Sequence, residues 1–214
     1  MAGVRNRRRA LPWIVAGAVL IVLLVPISIV VVPILTHVNQ GSAGQDPVED
    51  FPLEVSATGD DGRTRELQVH AVQPGETVDT SALTPGDRLV VSGTGYDASR
   101  GIYVAICVIP DAPTEKPGPC VGGVPAQEES EVAEGTVQFA PSNWINDDWA
   151  WRLFGARSYD DVATGTFTAY LEVGEASGEG FDCRVDRCAI YTRNDHTALS
   201  DRVQDVYLPV AFAE

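Results

Sequence analysis

The segment NDHTALSD brings Asp195, His196 and Ser200 within six positions, the residue types of a nucleophile activated by a base and an acid. A hydrolase built that way also needs a sharp nucleophile turn and an oxyanion cradle. No such motif surrounds Ser200, and the stretch reads as a solvated hairpin loop. Paired carboxylates at Asp60–Asp61, Asp147–Asp148 and Asp160–Asp161 offer a second chemistry, general acid and base across a glycosidic bond. With 30 Asp and Glu among 214 residues, adjacent pairs follow from composition alone. The D-x-D-x-D-G spacing of a calcium loop is absent, and Glu128, Glu129, Glu131 and Glu134 read as a solvated loop. No glycine-rich phosphate cradle precedes a helix. No catalytic residue, metal or cofactor is therefore expected, and the chain reads as a non-enzyme.

Four cysteines, Cys107, Cys120, Cys183 and Cys188, are the remaining reactive side chains. None of their spacings is C-x-x-C, and the histidines that zinc would need are scarce. An even set without metal-ligand spacing reads as disulfides formed in an oxidising compartment. Four cysteines allow three pairings, of which joining sequence neighbours is the simplest.

The stretch WINDDWAWRLFG, residues 144–155, packs three of the four tryptophans into eight positions. Asn146 is the expected helix N-cap, Asp147 and Asp148 complement the helix N-terminus, Arg152 sits near the last turn and Gly155 at its C-terminal exit. Trp149 and Leu153 would then stack one turn apart, as would Ala150 and Phe154, leaving Trp151 to point elsewhere. A large aromatic ring buries roughly 150–250 Å². Such rings can cap an open end of the domain, line a small-ligand cleft, or stand exposed as a contact for a partner. Trp144, Trp149, Trp151, Arg152 and Phe154 are the partner-binding candidates, with Arg157 close by.

The elements that position these residues differ sharply along the chain. Arg5, Arg7, Arg8 and Arg9 make a basic tail over residues 1–10. Residues 11–35, LPWIVAGAVLIVLLVPISIVVVPIL, carry no charge. As a helix they would reach roughly 37 Å, beyond the ~30 Å hydrocarbon core of a bilayer. A cleavable signal is the other possibility, with small residues around Ala43, but its apolar region is usually about 7–15 residues long. No cysteine follows that would carry a lipid. The expectation is a single-pass transmembrane helix with the arginines cytoplasmic and the remaining chain extracytoplasmic at the cell membrane. Residues 36–52 are polar and punctuated by Gly and Pro, as in a linker. Beyond position 36 there are 11 basic and 30 acidic side chains, a net charge of −19, which repels nucleic acid.

From residue 53 the pattern changes to short apolar runs broken by turn residues. RELQVHAV (65–72), DRLVVSGTGY (87–96), GIYVAICVIP (101–110), GTFTAYLEV (165–173), DCRVDRCAIYT (182–192) and DVYLPVAF (205–212) are rich in β-branched and aromatic residues. About seven strands are predicted, and an all-β antiparallel sandwich is favoured over a barrel.

Three stretches carry a family likeness. LTPGDRLVVSGTGYDASRGIYVAICVIPDAP, ATGTFTAYLEV and FDCRVDRCAIYTRNDHTALSDRVQDVYLPVAF resemble the neocarzinostatin-type apoproteins of actinobacteria, most specifically in the five-residue offset between Cys183 and Cys188. The resemblance implies an immunoglobulin-like sandwich over residues 53–214 with a two-stranded ribbon. It also implies bridges Cys107–Cys120 and Cys183–Cys188, and a cleft that in the soluble relatives holds an aromatic enediyne. The segment around 122–163, with its tryptophans, is a long insertion in that pattern. Taken together, the expected function is a membrane-anchored, non-catalytic accessory subunit contacting a membrane-protein partner. The alternative is a carrier or sequestering domain for a small hydrophobic ligand.

Overall fold

The computed structural model describes residues 4–122 and 137–213, with side chains from 13 onward apart from 26, 27, 29, 30 and 33. Glu128, Glu129, Glu131 and Glu134 lie outside the described residues. The chain divides into two units, residues 1–38 and 39–214.

The first unit is one helix, α1 (Val4–Thr36). Its two hydroxyls turn back onto the backbone: Ser28 Oγ donates to the Leu24 carbonyl and Thr36 Oγ1 to that of Val32. Among the described residues no helix is long and apolar enough to cross a membrane. The expected transmembrane helix over 11–35 is corrected accordingly. The same correction covers the single-pass, cell-membrane placement and the lipid-bilayer contact.

Among the described residues the second unit has ten strands, all paired antiparallel. They are β1 (Glu54–Thr58), β2 (Thr64–Ala71), β3 (Arg88–Thr94), β4 (Ile102–Val108), β5 (Ser142–Ile145), β6 (Phe167–Glu172), β7 (Ser177–Gly178), β8 (Phe181–Asp182), β9 (Cys188–Asn194) and β10 (Tyr207–Val210). One sheet has the order β1-β2-β3-β6, a second β10-β9-β4-β5, and β7-β8 is a separate ribbon. The sandwich thus has eight strands where about seven were predicted. The short β1 and β5 carry weak apolar alternation, and pairing supplies what their own pattern does not.

Alternation decides which side chains meet between the sheets. Leu67 and Val69 of β2, Val91 of β3 and Phe167, Ala169 and Leu171 of β6 face Ile102, Val104 and Ile106 of β4, Ile190 of β9 and Leu208 of β10 in one buried cluster. Gly93 is needed in this layer, because a Cβ there would stand 2.4 Å from the Phe167 ring. Phe167 in turn meets Tyr96 edge-on at 5.0 Å, and the Tyr96 hydroxyl pairs with Thr192 Oγ1 at 3.0 Å.

The interior also takes in charge. Arg65 is fully buried; its Nη1 and Nη2 donate to the two Asp61 oxygens at 3.0 and 2.6 Å. The guanidinium also lies 5.9 Å from the Tyr96 ring centre. Burial raises the Asp61 pKa, but the Arg65 bonds and the charges of Arg65 and Arg63 outweigh it and hold the carboxyl below its ordinary value. Both disulfides are formed, Cys107–Cys120 and Cys183–Cys188. Closing loops of this size stabilises by roughly 3 and 2 kcal/mol on a chain-entropy estimate.

Removing one member of a buried ion pair strands the other in low dielectric, at a cost of about 3 kcal/mol. Asp61→Ala is therefore expected to lower stability by that amount in urea unfolding, whereas Arg65→Leu, which strands no buried cation, costs less. Equal losses in the two variants would contradict the account.

Candidate functional site

The second sheet is buried on both faces at its centre. Ile102, Val104 and Ile106 point into the sandwich, while Ala105 and Cys107 of the same strand join Ala189 and Tyr191 in a separate cluster on the outer face. Residues 109–121 fold over that face. The Cys107–Cys120 bridge ties the segment down, the Val108 amide donates to Pro119 and Arg193 Nη1 donates to the Pro117 carbonyl at 2.9 Å. The cover itself walls a small polar pocket, and an aromatic nest lies apart from it.

The nest is organised by Asp195, which is fully buried. Its Oδ2 accepts from Trp144 Nε1 and Asn146 Nδ2, each at 2.9 Å. Its Oδ1 accepts from the Thr197 amide at 2.9 Å and the Thr197 hydroxyl at 2.6 Å. Four donors leave no lone pair of the carboxylate wanting, as burial of a charge requires. Gly101 admits this carboxylate: a Cβ there would stand 2.0 Å from Asp195 Oδ2.

Around that anchor the rings assemble. His196 meets Trp151 edge-on at 4.5 Å and Trp144 at 5.3 Å. Trp144 and Trp151 are 5.7 Å apart, and Tyr103 lies 6.0 Å from Trp144. The Tyr103 hydroxyl pairs with His196 Nδ1 at 3.1 Å; burial and the nearby Asp195 charge push this phenol up to about 12. Asp195, His196 and Ser200 therefore build no nucleophilic relay. The carboxylate serves the tryptophan, the imidazole serves the tyrosine, and Ser200 is exposed with its carbonyl accepting from Asn39. Nor is the segment a solvated loop: Asn194, Asp195, Thr197 and Ala198 are buried.

A single turn, α2 (Trp149–Arg152), roofs the nest. Its N-cap is Asp148, whose carboxylate accepts from the Ala150 amide at 2.9 Å. Asn146, the predicted cap, is instead drawn inward to Asp195 and only steadies Asp148 through that residue's amide. Gly155, at φ +92°, leads the chain out. Trp149, Leu153 and Phe154 are 65%, 72% and 60% exposed, Arg152 is exposed, and Trp144 and Trp151 are half-buried. Phe154 packs on Trp151 at 6.3 Å.

The paired carboxylates are spent locally. Asp147 accepts from the Tyr159 amide, Asp160 from Thr168 Oγ1, Asp161 from Ala163 and Thr164 and Asp60 from the Ser42 amide. Among the described residues no group of three His, Cys, Asp or Glu is placed to hold a metal ion. An open cleft of about 510 Å³ lies at the far sheet, between Val72, Val78, Leu83 and Leu89, and no ring lines it.

Asp205 lines the polar pocket that the cover walls through Pro110, Pro113, Glu115 and Pro117. Burial lifts this carboxyl to about 7, against the opposing charges of Arg202 and Arg193 and the Asn194 amide. Arg202 Nη1 donates to Asp205 Oδ2 at 2.7 Å, and Tyr191 stacks on Tyr207 at 5.0 Å beside it.

Fold and site together define a disulfide-stapled β-sandwich that carries a preformed aromatic surface on the outer face of one sheet. No known family model matches the chain. Thiamine biosynthesis protein X of Corynebacterium glutamicum is 30% identical over 136 residues, which are 64% of this chain and 61% of that protein. The chain thus spans about three fifths of the length of that relative. Among solved structures, macromomycin, a neocarzinostatin-family apoprotein, matches with a TM-score of 0.37 and 18% identity, over 69% of this chain and 99% of the other.

Two outcomes follow from the buried carboxylates. Asp195→Ala leaves Trp144 and Asn146 without their acceptor, so tryptophan emission should shift to the red and stability fall by about 2 kcal/mol; an unchanged emission maximum would refute the anchoring role. Asp205 is raised above its unfolded pKa of 3.8, so its contribution is fully present below pH 4 and lost as pH rises through about 7. Asp205→Asn should therefore flatten the decline in Tm between pH 4 and 7 measured by calorimetry.

Proposed function

We propose that this chain is a non-catalytic module that binds a small aromatic ligand, as a carrier or sequestering domain does, with the nest of Trp144, Trp151, Tyr103 and His196 as the binding surface. The observation that carries the reading is the buried Asp195 carboxylate, which holds the Trp144 indole in place before any ligand arrives. Rings fixed in advance lose little freedom on binding, so more of the stacking energy appears as affinity. The likeness of the cysteine-bearing stretches to neocarzinostatin-type apoproteins supports the same direction. The relative named for thiamine biosynthesis suggests a cationic heteroaromatic ring, and the net charge of −19 beyond residue 36 favours such a cation over an anion.

A second reading, contact with a protein partner, is favoured by one observation. Trp149, Leu153 and Phe154 stand together more than half exposed on α2, with the exposed Arg152 among them. Tryptophan and arginine are frequent hot spots of interfaces. In that reading Trp149 and Phe154 make the contact, and Trp144 and Trp151 support it from beneath.

Titration of tryptophan fluorescence with thiamine, and separately with neutral 2-naphthol, tests the ligand reading. Saturable quenching is expected, with Trp151→Ala weakening binding on the order of 30-fold, from ~2 kcal/mol for a lost aromatic anchor, and Trp149→Ala changing it little. A silent titration with both compounds would turn the assignment to the partner reading.

A further inference from the structure

β2 and β3 are joined not by a tight turn but by residues 72–87, which stand off the end of their sheet. The far part of this connection is pinned: the Leu83 amide donates to the Ala211 carbonyl at 2.8 Å, and the Ala211 amide to the Thr80 carbonyl at 2.9 Å. The near part turns on itself, the Glu76 amide donating to the Gln73 carbonyl at 3.2 Å. Between the connection and the paired Ala71 and Leu89 lies the open cleft of about 510 Å³, within the size range of small-ligand sites. Leu83 and Leu89 line it from the buried side, and Val72 lines it 45% exposed. Apolar surface left to water in a concave site is what the hydrocarbon of a ligand would cover.

Charge selects the kind of ligand. Glu76, Asp79 and Asp87 line the cleft, with Arg88 as the cation among the lining residues. Arg88 is already answered: its Nε donates to Glu172 Oε2 at 2.9 Å, and its guanidinium lies 5.1 Å from the Phe139 ring centre. Asp79 and Asp87 each spend one oxygen on a local turn, Asp79 on the Ser81 amide and hydroxyl and Asp87 on the Thr84 amide. The Ser81 bonds hold the exposed Asp79 carboxyl below its ordinary value, so it is ionised at neutral pH. The Glu76 carboxylate is exposed and has no ion pair among the described residues. Three carboxylates against one engaged guanidinium favour a cation and oppose a carboxylate or phosphate. Walls of Val, Ala and Leu without an aromatic ring give an alkyl chain contact area but offer a flat heterocycle nothing to stack on. We propose that this cleft binds an aliphatic ammonium ion, its alkyl chain against Val72, Val78 and Ala82 and its charge among Glu76, Asp79 and Asp87.

The test titrates the ¹⁵N-labelled full chain at pH 7 and low salt with n-hexylammonium, and with n-butylammonium, 1-hexanol and hexanoate as controls. Saturable amide shifts centred on Val72, Val78 and Leu83 are expected. Butylammonium should bind on the order of tenfold more weakly, since each buried methylene is worth roughly three- to fourfold. Hexanol should lose about tenfold for want of the charge, and hexanoate more. Glu76→Gln should weaken hexylammonium about threefold with Tm unchanged, and Ala82→Phe, at an exposed position of the lining, should weaken it at least tenfold by filling the cleft. Equal binding of hexylammonium and hexanol would overturn the electrostatic part of the proposal. Equal binding of the butyl and hexyl ions would reduce the site to a counter-ion at surface carboxylates, and shifts elsewhere with none at Val72, Val78 and Leu83 would remove the cleft altogether. The cleft shares no residue with the tryptophan nest, so its failure and that of the nest are read separately.

Discussion

A carboxylate taken out of water must be met by donors, and Asp195 shows how much structure that single requirement can organise. Its four hydrogen bonds reach β5 through Trp144, the start of the α2 segment through Asn146, and its own turn through Thr197. Its backbone amide donates to Gly101, just before β4. Segments distant in sequence are thereby locked to one point. The rings around it are held as an array because the group beneath them has no alternative partners.

The cover on the outer face follows a related logic. A sheet with one apolar face can leave the other to water, but β4 and β9 carry small or apolar residues on both sides. Such strands need a second layer. The 109–121 segment supplies it, and the Cys107–Cys120 bridge compensates for the few contacts so short a cover can make. Arg193 links cover and nest, donating to Pro117 while its guanidinium lies 5.7 Å from the Tyr103 ring. The N-terminal residues of the second unit add a further edge: Ser42 bridges to Arg202, and Gln45 exchanges two hydrogen bonds with Tyr207.

Charge is divided between surface and interior in opposite ways. The surface is strongly acidic, yet two buried cations are each paired with one carboxylate, Arg65 with Asp61 and Arg202 with Asp205, and the buried Asp195 is met by four neutral donors. Pairing on this pattern is what low dielectric enforces, since an excess of either sign inside costs far more than it does in water. Many of the surface carboxylates, by contrast, are spent on capping turns.

Much of the architecture was legible in the residues themselves. Alternation in RELQVHAV and GTFTAYLEV marked β2 and β6, because a half-buried strand repeats every two residues. The offset of the cysteines, through the family likeness, marked the bridges that are formed. The one-turn helix within WINDDWAWRLFG was legible too, though its cap falls at Asp148, since burial beside Asp195 claims Asn146 for another partner. Apolar composition over 11–35 suggested a membrane span that no helix among the described residues meets. What no reading along the chain could supply was that Asp195 and His196 lie under Trp144 and Trp151, or that Asp205 is enclosed beside Arg202. Local propensity and periodicity report what each segment can be. Which polar group ends up without water depends on what the rest of the chain places above it, and that is decided only when the sheets and their cover close.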